Sequence, residues 1–420
     1  MHRSIAALLA ALCCACAAQA HIAPSAGTAP SLTLHHALEL AGAASPSLDA
    51  AAAELRAAEA GRQVAGLRPN PTLAIDAENV AGSGPYRAFG GAEVTAAIEL
   101  PIELGGKRSA RIGVADAQAH RAAIQAAAAQ ADLRFDVVRS YAVAAAAERR
   151  LVTAREQARI AADALRAAEV RVRAGRASPI EMQRAELARI NAEAEVERTG
   201  RLVETSRFSL SRRIGAPVSG PLDEGWFASV ANRYGPLEPI DSAGTLALAE
   251  AEANVAVAEA GVRLARSQRI PDLTVSAGAR RFEETGDTAA LIGLSIPLPL
   301  FNNGKAALAQ ASSERQRADA QRRMAAMEAD QSIARAQADL ANAATTAATA
   351  TGPALAAAEE TARIARIGYR EGKFGQLDLL DAERTLAGTR QAAIDALLSY
   401  HLAQAQLERL TMRAPSALGE

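Results

Sequence analysis

The sequence contains an internal duplication, and this feature restricts the possible folds more than any other. The segment Pro71-Thr72-Leu73-Ala74-Ile75 returns about 200 residues later as Pro271-Asp272-Leu273-Thr274-Val275. In both copies a helical stretch precedes this segment, a second extended segment ends in proline, and a Gly-Lys pair begins a very long alanine-rich helical run. Each half of the chain is therefore expected to form the same supersecondary unit. The matching features are Leu32 to Leu67 with Leu246 to Arg269, Pro101 with Pro297, and Gly106-Lys107 with Gly304-Lys305.

The duplication predicts two repeats joined by a connector. The first repeat covers residues 21–216 and the second covers residues 243–412, each with a helix, two strands and a long helical hairpin. Residues 217–242 have no counterpart, and their Pro, Gly and lone Trp226 predict an irregular connector. A short tail, residues 413–420, follows the second repeat.

The first 20 residues have the pattern of a signal peptide. Arg3 precedes a short apolar run from Ile5 to Leu12, and Ala18-Gln19-Ala20 is a small-x-small cleavage site, so the mature chain should begin at His21. The apolar run is too short for a membrane-spanning helix. All the cysteines lie in this segment, so the mature chain should contain no disulfide and no cysteine metal site. A lipoprotein cleaved at Cys16 is an alternative, but the residues before it fit a lipobox poorly. The cysteines are Cys13, Cys14 and Cys16.

Four short segments alternate between apolar and polar residues with a period of two, as strands do. The alternation fits a soluble sheet with one wet face, and it fits equally a membrane barrel with lipid outside and water inside. In the barrel interpretation we expect one set of side chains to face acyl chains and the other set to face water. The first set is Leu73, Ile75, Val94, Ile98, Val275 and Ile296, and the second is Thr72, Asp76, Glu93, Thr95 and Glu99.

Prolines separate the helical from the extended segments and favour the barrel interpretation. Proline removes a backbone donor and disfavours helix in the preceding residue, so each proline marks a boundary. Four strands cannot close a membrane barrel, since the smallest have about eight. Unpaired strand edges in lipid cost several kcal/mol for each polar group, so a membrane location requires oligomerisation. The prolines are Pro69, Pro71, Pro101, Pro271, Pro297 and Pro299.

The helical runs are too long for a globular core. Ser109 to Arg173 and Ala306 to Arg370 would each extend about 100 Å as one helix. Aromatic residues make up only 3% of the chain, and alanine, which favours helix and fills little volume, supplies much of the apolar content. Pro353 predicts a kink in the second run. Two such hairpins must line up in a layer of helices or close into a tube.

These features resemble the TolC family of outer-membrane factors over nearly the whole mature chain. The most specific segment runs from Tyr369 to Glu383, a glycine turn followed by an Asp-x-x-Asp helix start, and Arg173 to Glu186 resembles the first turn. The resemblance implies an α+β membrane protein whose long helical hairpins form a periplasmic tunnel. It implies four strands per chain in a trimeric, twelve-stranded outer-membrane β-barrel. Arg68 to Pro71 and Glu99 to Arg108 are most similar to the heavy-metal branch, which exports cobalt, zinc and cadmium or copper and silver.

The resemblance places a pore constriction and a docking tip at the two helical turns. Asp378 and Asp381 share a helix face, and in a threefold pore each would form a ring of carboxylates that selects cations. The alternative is that these acids only stabilise a helix N-terminus. Relatives carry a basic residue at position 374, so a gate lock here would use Arg370 or Lys373 or be weaker. Other constriction candidates are Glu181 and Tyr369, and the candidates for adaptor docking are Gly175, Arg176, Ser178, Gly372, Lys373, Phe374 and Gly375.

The sequence contains no enzyme motif. The histidines lack HxxxH and HExxH spacing, and no glycine-rich phosphate loop is present. We therefore predict a passive duct without catalytic residues, cofactor or metal site, and the net charge of -1 gives no reason to expect nucleic acid. The resemblance implies a homotrimer in outer-membrane lipid, a periplasmic membrane-fusion adaptor and an inner-membrane pump of the resistance-nodulation-division type. Drug efflux, type I protein secretion and a periplasmic coiled-coil adaptor are the alternatives.

Overall fold

The computed structural model describes residues 31–231 and 238–415, so the predicted signal peptide and most of the predicted tail lie outside the described residues. Each repeat contains a helix, an antiparallel strand pair and a long helical hairpin. The elements of the first repeat are α1 (Leu34–Ala43), α2 (Pro46–Gly66), β1 (Thr72–Glu78), a 3-10 turn (Gly84–Tyr86), β2 (Glu93–Ile102), α3 (Lys107–Arg173) and α4 (Pro179–Ile214). The short helix α5 (Glu224–Ala228) follows, and the second repeat contains α6 (Leu246–Ser267), β3 (Leu273–Phe282), β4 (Thr288–Ser295), α7 (Lys305–Thr351), α8 (Pro353–Arg370) and α9 (Gln376–Thr411).

Two of the predicted helical runs are divided. The stretch from Leu32 to Leu67 forms two helices, since the chain is extended at Ser45 immediately before Pro46. The expected kink at Pro353 is confirmed as a break between α7 and α8, where Gly352 has φ −100° and ψ −105°. No helix in the described part of the chain is both long enough and apolar enough to cross a membrane.

The four strands form one antiparallel sheet in the order β1-β2-β3-β4, so the two repeats join through β2 and β3. The ladders correct the predicted match between the repeats. Ala74 pairs with Ala97 in the first hairpin, and Thr274 pairs with Ser295 in the second. Residue numbers in β1 therefore convert to those in β3 by adding 200, and residue numbers in β2 convert to those in β4 by adding 198. The Gly-Lys pairs agree with the second offset, because Lys107 and Lys305 are also 198 positions apart. Pro101 corresponds to Pro299 and not to Pro297, because equivalent paired residues are two positions closer in the second repeat: Ala74 and Ala97 are 23 positions apart, and Thr274 and Ser295 are 21 apart.

The sheet exposes its apolar face, and its polar face is covered in the central strand β2 but exposed along most of the edge strand β1. In β2, Ile98 is 58% exposed, whereas the neighbouring Ala97 is 7% exposed and Thr95 is 5% exposed. One outward row crosses all four strands through Leu73, Ile98, Ala277 and Ile292. A soluble sheet would bury such a row, since burying each side chain of this size is worth about 1.5–3 kcal/mol. The predicted division into two faces is confirmed, and its polarity is that of a sheet surrounded by lipid.

The covered face contains a charge network that neutralises its one described arginine. Arg280 donates from Nε to Oγ1 of Thr95 at 2.8 Å and from Nη1 to Oε2 of Glu93 at 2.9 Å. The same Nη1 lies 3.3 Å from Oε2 of Glu78 on the edge strand. These side chains are only partly buried, so solvent, ion pairing and hydrogen bonds together stabilise their charges.

A second polar cluster fixes the helices to the end of the sheet. Asp272 accepts from the backbone N of Leu104 at 3.1 Å and from Nζ of Lys107 at 2.7 Å, which joins β3 to the start of α3. Arg111 binds both carboxylate oxygens of Glu103, and this hydrogen bond holds the pKa of Glu103 below its usual range. The junction between the two repeats is therefore fixed by ion pairs.

Alanine allows the long helices to pack closely. Ten of the fourteen buried residues of α3 are alanines, so neighbouring helix axes can approach without large side chains between them. The predicted connector contains one short helix, α5, which inserts into this layer. Phe227 of α5 is fully buried, and Trp226 stacks on His401 with ring centroids 4.2 Å apart. Nε2 of His401 lies 2.9 Å from the Phe227 carbonyl oxygen, and burial lowers the pKa of the imidazole.

The sheet faces can be tested with two adjacent cysteines on β3. Thr95 is a poor probe because Arg280 covers it, so we choose Ser276 on the polar face and Ala277 on the apolar face. We expect a charged, water-soluble thiol reagent to modify the Ser276→Cys variant in outer membranes and to leave Ala277→Cys unmodified. An apolar maleimide should modify Ala277→Cys, because lipid covers that face. The opposite pattern would show that the two faces are reversed.

Candidate pore constriction and docking tip

The two hairpin turns close through the same backbone motif. In the first, the N–H of Gly175 donates to Val172 at 3.0 Å and the N–H of Arg176 donates to Arg171 at 2.8 Å. In the second, Gly372 donates to Tyr369 at 3.1 Å and Lys373 donates to Gly368 at 2.8 Å. This is the Schellman arrangement, which requires a left-handed residue after the helix. Gly175 and Gly372 have φ +67° and +71°, as the sequence predicted.

The helices that leave the turns begin differently in the two repeats. At the start of α4, the Ser178 hydroxyl accepts from the N–H of Ile180 at 3.4 Å. At the start of α9, the carboxylate of Asp378 accepts from the N–H of Gly375 at 2.9 Å. Asp378 therefore stabilises the start of α9. Asp381, one turn later, is exposed and has no hydrogen-bonding partner among the described residues.

The two tips of one chain contact each other. Gln376 donates from Nε2 to the Glu181 carbonyl oxygen at 2.7 Å, which joins the starts of α4 and α9. The guanidinium of Arg171 lies 4.7 Å from the ring centroid of Tyr369, within the range of a cation–π contact. The structure thus brings Glu181 and Tyr369 close to the second turn.

A buried ion pair joins the two helices of the second hairpin behind the tip. Arg366 on α8 donates from Nη2 to Oε2 of Glu383 on α9 at 2.8 Å and also binds the second carboxylate oxygen. Glu383 is only 7% exposed, and this hydrogen bond raises the pKa of Arg366. Removing one partner of such a pair leaves an uncompensated charge, which costs about 3–5 kcal/mol when the pair is fully buried. Arg366 is partly exposed, so the cost here is smaller.

Arg370 and Lys373 are exposed and neither forms an ion pair within the described residues of one chain, so a gate lock through them stays a prediction. Phe374 instead packs its ring on Gly368. A Cβ at position 368 would lie 2.2 Å from the ring, so the contact requires glycine. At position 374, where relatives carry a basic residue, this chain therefore has an aromatic side chain that forms a packing contact inside the second tip.

A cleft of about 1040 Å³ separates the two hairpins above the tips. Residues of α3, α4, α8 and α9 line it, among them Arg159, Asp163 and Glu383. The hydroxyl of Tyr369 is buried at this cleft without a hydrogen-bond partner in residues 31–231 and 238–415. The hairpins are therefore in contact at the tip and separated above it.

Sequence reasoning did not identify Arg171, Arg366, Gln376 or Glu383. One signal was available for Glu383, because it lies on the buried stripe formed by Leu379, Ala382 and Leu386 of α9. An acid at such a position needs a cation, and the cation lies on the other helix of the hairpin. The described residues contain no group of three or more His, Cys, Asp or Glu side chains arranged to hold a metal ion.

Comparison with known proteins decides the family. The family model for outer membrane efflux proteins matches residues 37–216 and 243–411. This chain belongs to the outer membrane efflux protein family. The cobalt-zinc-cadmium resistance protein CzcC of Cupriavidus metallidurans is 32% identical over 391 residues, which cover 91% of this chain and 90% of CzcC.

Solved structures show that the fold is that of known efflux channels. The CusC channel superposes with a TM-score of 0.76 at 16% identity, over 90% of this chain and 92% of CusC. The outer membrane protein VceC of Vibrio cholerae superposes with a TM-score of 0.73 at 22% identity, over 91% of this chain and 97% of VceC. This efflux protein is accordingly an outer-membrane protein with a helical part and a β part, as predicted.

The left-handed glycines provide a test of the tip. A side chain at Gly372 meets no neighbour, so its cost is backbone strain, about 1–2 kcal/mol for an L-residue. We expect Gly372→Val to distort the turn and to reduce efflux in cells while the amount of protein in the outer membrane stays unchanged. Gly113 lies inside α3 with open space at its Cβ position and without a left-handed φ, so Gly113→Val is the matched control and should export normally. Equal efflux by both variants would contradict a role for the turn.

Conductance measurements can distinguish the roles of the two acids of α9. Asp378 is occupied by the Gly375 N–H, whereas Asp381 is exposed. If the acids line the pore, Asp381→Asn should weaken block by divalent cations in planar bilayers more than Asp378→Asn does, because a free carboxylate sets ion occupancy. If even the double variant conducts and is blocked like the unsubstituted protein, both acids only stabilise the helix end.

Proposed function

We propose that this protein is the outer-membrane duct of a tripartite system that exports divalent heavy-metal cations. The observation that carries the proposal is the match to CzcC, a cobalt-zinc-cadmium resistance protein, along nine-tenths of both chains. Over 269 residues the chain is also 29% identical to the nickel-cobalt-cadmium resistance protein NccC of Alcaligenes xylosoxydans xylosoxydans. A match along nearly the whole length includes the strands, the tunnel helices and both tips, so it concerns the complete duct.

Three chains would form the duct. The sheet offers an apolar face to lipid but leaves β1 and β4 as edges, and lipid supplies no hydrogen bonds for those edges. Three copies would give twelve strands, enough to close a barrel. The long helices α3, α4 and α7 to α9 would continue the barrel as a periplasmic tunnel. The homotrimer rests on edge closure together with the fold shared with known channels.

The tips would receive the cargo from partner proteins. Both turns are small, polar and well exposed at the far end of the longest helices, as a docking surface requires. A periplasmic membrane-fusion adaptor would bind there end to end, and an inner-membrane pump of the resistance-nodulation-division type would supply the energy. The first constriction the cargo meets would be formed by Glu181, Tyr369, Asp378 and Asp381, whose carboxylates would favour cations.

Metal resistance tests the cargo. Deleting the gene should lower the tolerated concentrations of Co²⁺, Zn²⁺ and Cd²⁺ by several-fold and leave tolerance to lipophilic drugs unchanged, because only the metal pump would lose its exit. A plasmid copy of the unsubstituted gene should restore growth, and the Gly113→Val variant serves as a second positive control. Loss of drug tolerance with normal metal tolerance would refute the metal proposal and support a drug-efflux duct.

A further inference from the structure

The cleft between the two hairpins contains buried polar atoms that have no partner. It encloses about 1040 Å³ and is lined by α3 and α4 of the first hairpin and by α8 and α9 of the second. Three of its side chains each have a buried polar atom without a hydrogen bond in residues 31–231 and 238–415. These atoms are Nε of Arg150, Nε2 of Gln157 and the hydroxyl oxygen of Tyr369. All three groups can donate a hydrogen bond, so the cleft lacks an acceptor.

The hydroxyl of Tyr369 is the clearest of these unsatisfied groups. Buried polar groups in folded proteins are nearly always hydrogen-bonded, so an exception needs a partner that binds separately. Tyr369 is only 7% exposed, and the guanidinium of Arg171 covers its ring. The hydroxyl is therefore held at the wall of the cleft.

The charge of the cleft favours an anion. Six arginines and four acids line it, an excess of two positive charges. Each of the four acids is bound by an arginine, which leaves no free carboxylate for a cation in the described part of the cleft. Arg370 and Arg384 form no ion pair with the residues that the structure describes. The bound acids form the pairs Glu156–Arg159, Asp163–Arg166, Glu195–Arg198 and Glu383–Arg366.

Helix geometry places one of these free arginines beside the Tyr369 hydroxyl. Tyr369 packs with Leu379 and Ala382 of α9. Arg384 lies on the next turn of α9, about 3–8 Å farther along the helix axis. A ligand of a few atoms can therefore contact both side chains.

The Gln157 amide lies on the opposite wall at a similar height. Arg150 of α3 binds Asp395 of α9, and the two helices run in opposite directions. Gln157 is seven residues closer to the tip than Arg150, so it is level with Gly388. Arg384 is one turn of α9 below Gly388, about 6 Å along the axis. Arg384 thus lies between the Tyr369 hydroxyl and the Gln157 amide.

We propose that this cleft binds a small soluble anion with two or more phosphate groups, held by Gln157 of the first hairpin and by Tyr369 and Arg384 of the second. The planar guanidinium of Arg384 matches two phosphate oxygens at once. The hydroxyl and the amide donate to the remaining oxygens. The site goes beyond the proposed export of metal cations, because its free groups are donors and positive charges.

Gly388 allows the cleft to be filled without the loss of any donor. It lines the cleft, a Cβ added to it meets no atom within 4 Å, and its φ is not left-handed. Gly388→Leu should therefore place an apolar side chain in the cleft and favour the helix. We expect this variant to lose anion binding. Gly113 also has open space at its Cβ position but lies outside the cleft, so Gly113→Leu is the matched control.

Calorimetric titration of the purified, detergent-solubilised protein with inorganic pyrophosphate in metal-free buffer tests the site. We expect saturable binding of one anion per chain, and none with sodium chloride at equal ionic strength. Arg384→Gln should weaken binding about tenfold or more, because a charge-assisted hydrogen bond is lost. Arg323 is an exposed arginine of α7 outside the cleft, so Arg323→Gln should bind like the unsubstituted protein.

Tyr369→Phe distinguishes a ligand contact from a structural role. The substitution removes only the hydroxyl, which has no partner to lose within the described residues. Pyrophosphate binding should weaken several-fold, while the unfolding temperature without pyrophosphate should not fall. A lower unfolding temperature with unchanged affinity would assign the hydroxyl to the fold and contradict the proposed contact.

Two results would overturn the site. The first is the absence of saturable pyrophosphate binding by the unsubstituted protein. The second is binding that persists in both Gly388→Leu and Arg384→Gln, which would place the anion elsewhere. Metal tolerance of the cells measures the proposed export function separately, so either proposal can fail without the other.

Discussion

The unpaired edges of the sheet are the constraint on which the rest of the structure depends. Strands β1 and β4 each present a row of backbone donors and acceptors, and the sheet exposes an apolar face that water would disfavour. In a bilayer no solvent satisfies those groups, so the edges must meet another strand. The duplication makes that partner available, because an edge of one copy is equivalent to a strand already paired inside the other repeat. Assembly and membrane location therefore have the same physical origin.

Alanine explains how such long helices pack against one another although their side chains fill little volume. A wall one helix thick has no room for a thick apolar core, and small side chains let neighbouring helices approach closely. The chain departs from this rule at one level, where the connector inserts Trp226 and Phe227 beside Tyr141, Tyr400 and His401. This aromatic cluster joins α3, α5 and α9 and anchors the connector.

At the tip the backbone of each turn is held in one conformation, but few side-chain contacts join the two hairpins. Glycine in the left-handed region reverses the chain, and the ion pair between Arg366 and Glu383 holds α8 to α9 just behind the turn. The Gln376 amide and the contact of Arg171 with Tyr369 join the hairpins at this level, and a cleft opens above them. Such an arrangement keeps each hairpin rigid while few bonds oppose a change in their separation.

The local features of this protein can be predicted from the sequence, because they depend on neighbouring residues along the chain. The repeat pattern, the alternation of the strands, the break at Pro353 and the positive φ of Gly175 and Gly372 follow from residues close together in the chain. The family also followed, since motifs at the turns carry it.

The tertiary structure alone decided the features that depend on distant partners. Proline spacing pointed to Pro297 as the counterpart of Pro101, but the hydrogen-bond ladder selects Pro299, since register is set by pairing along the whole strand. The sequence offered two roles for Asp378, and the contact with the Gly375 N–H shows one of them. Arg366 and Glu383 are 17 residues apart and meet only because the hairpin folds back. Helix α5 is helical because the aromatic cluster buries it, and five residues would not form a stable helix without that packing.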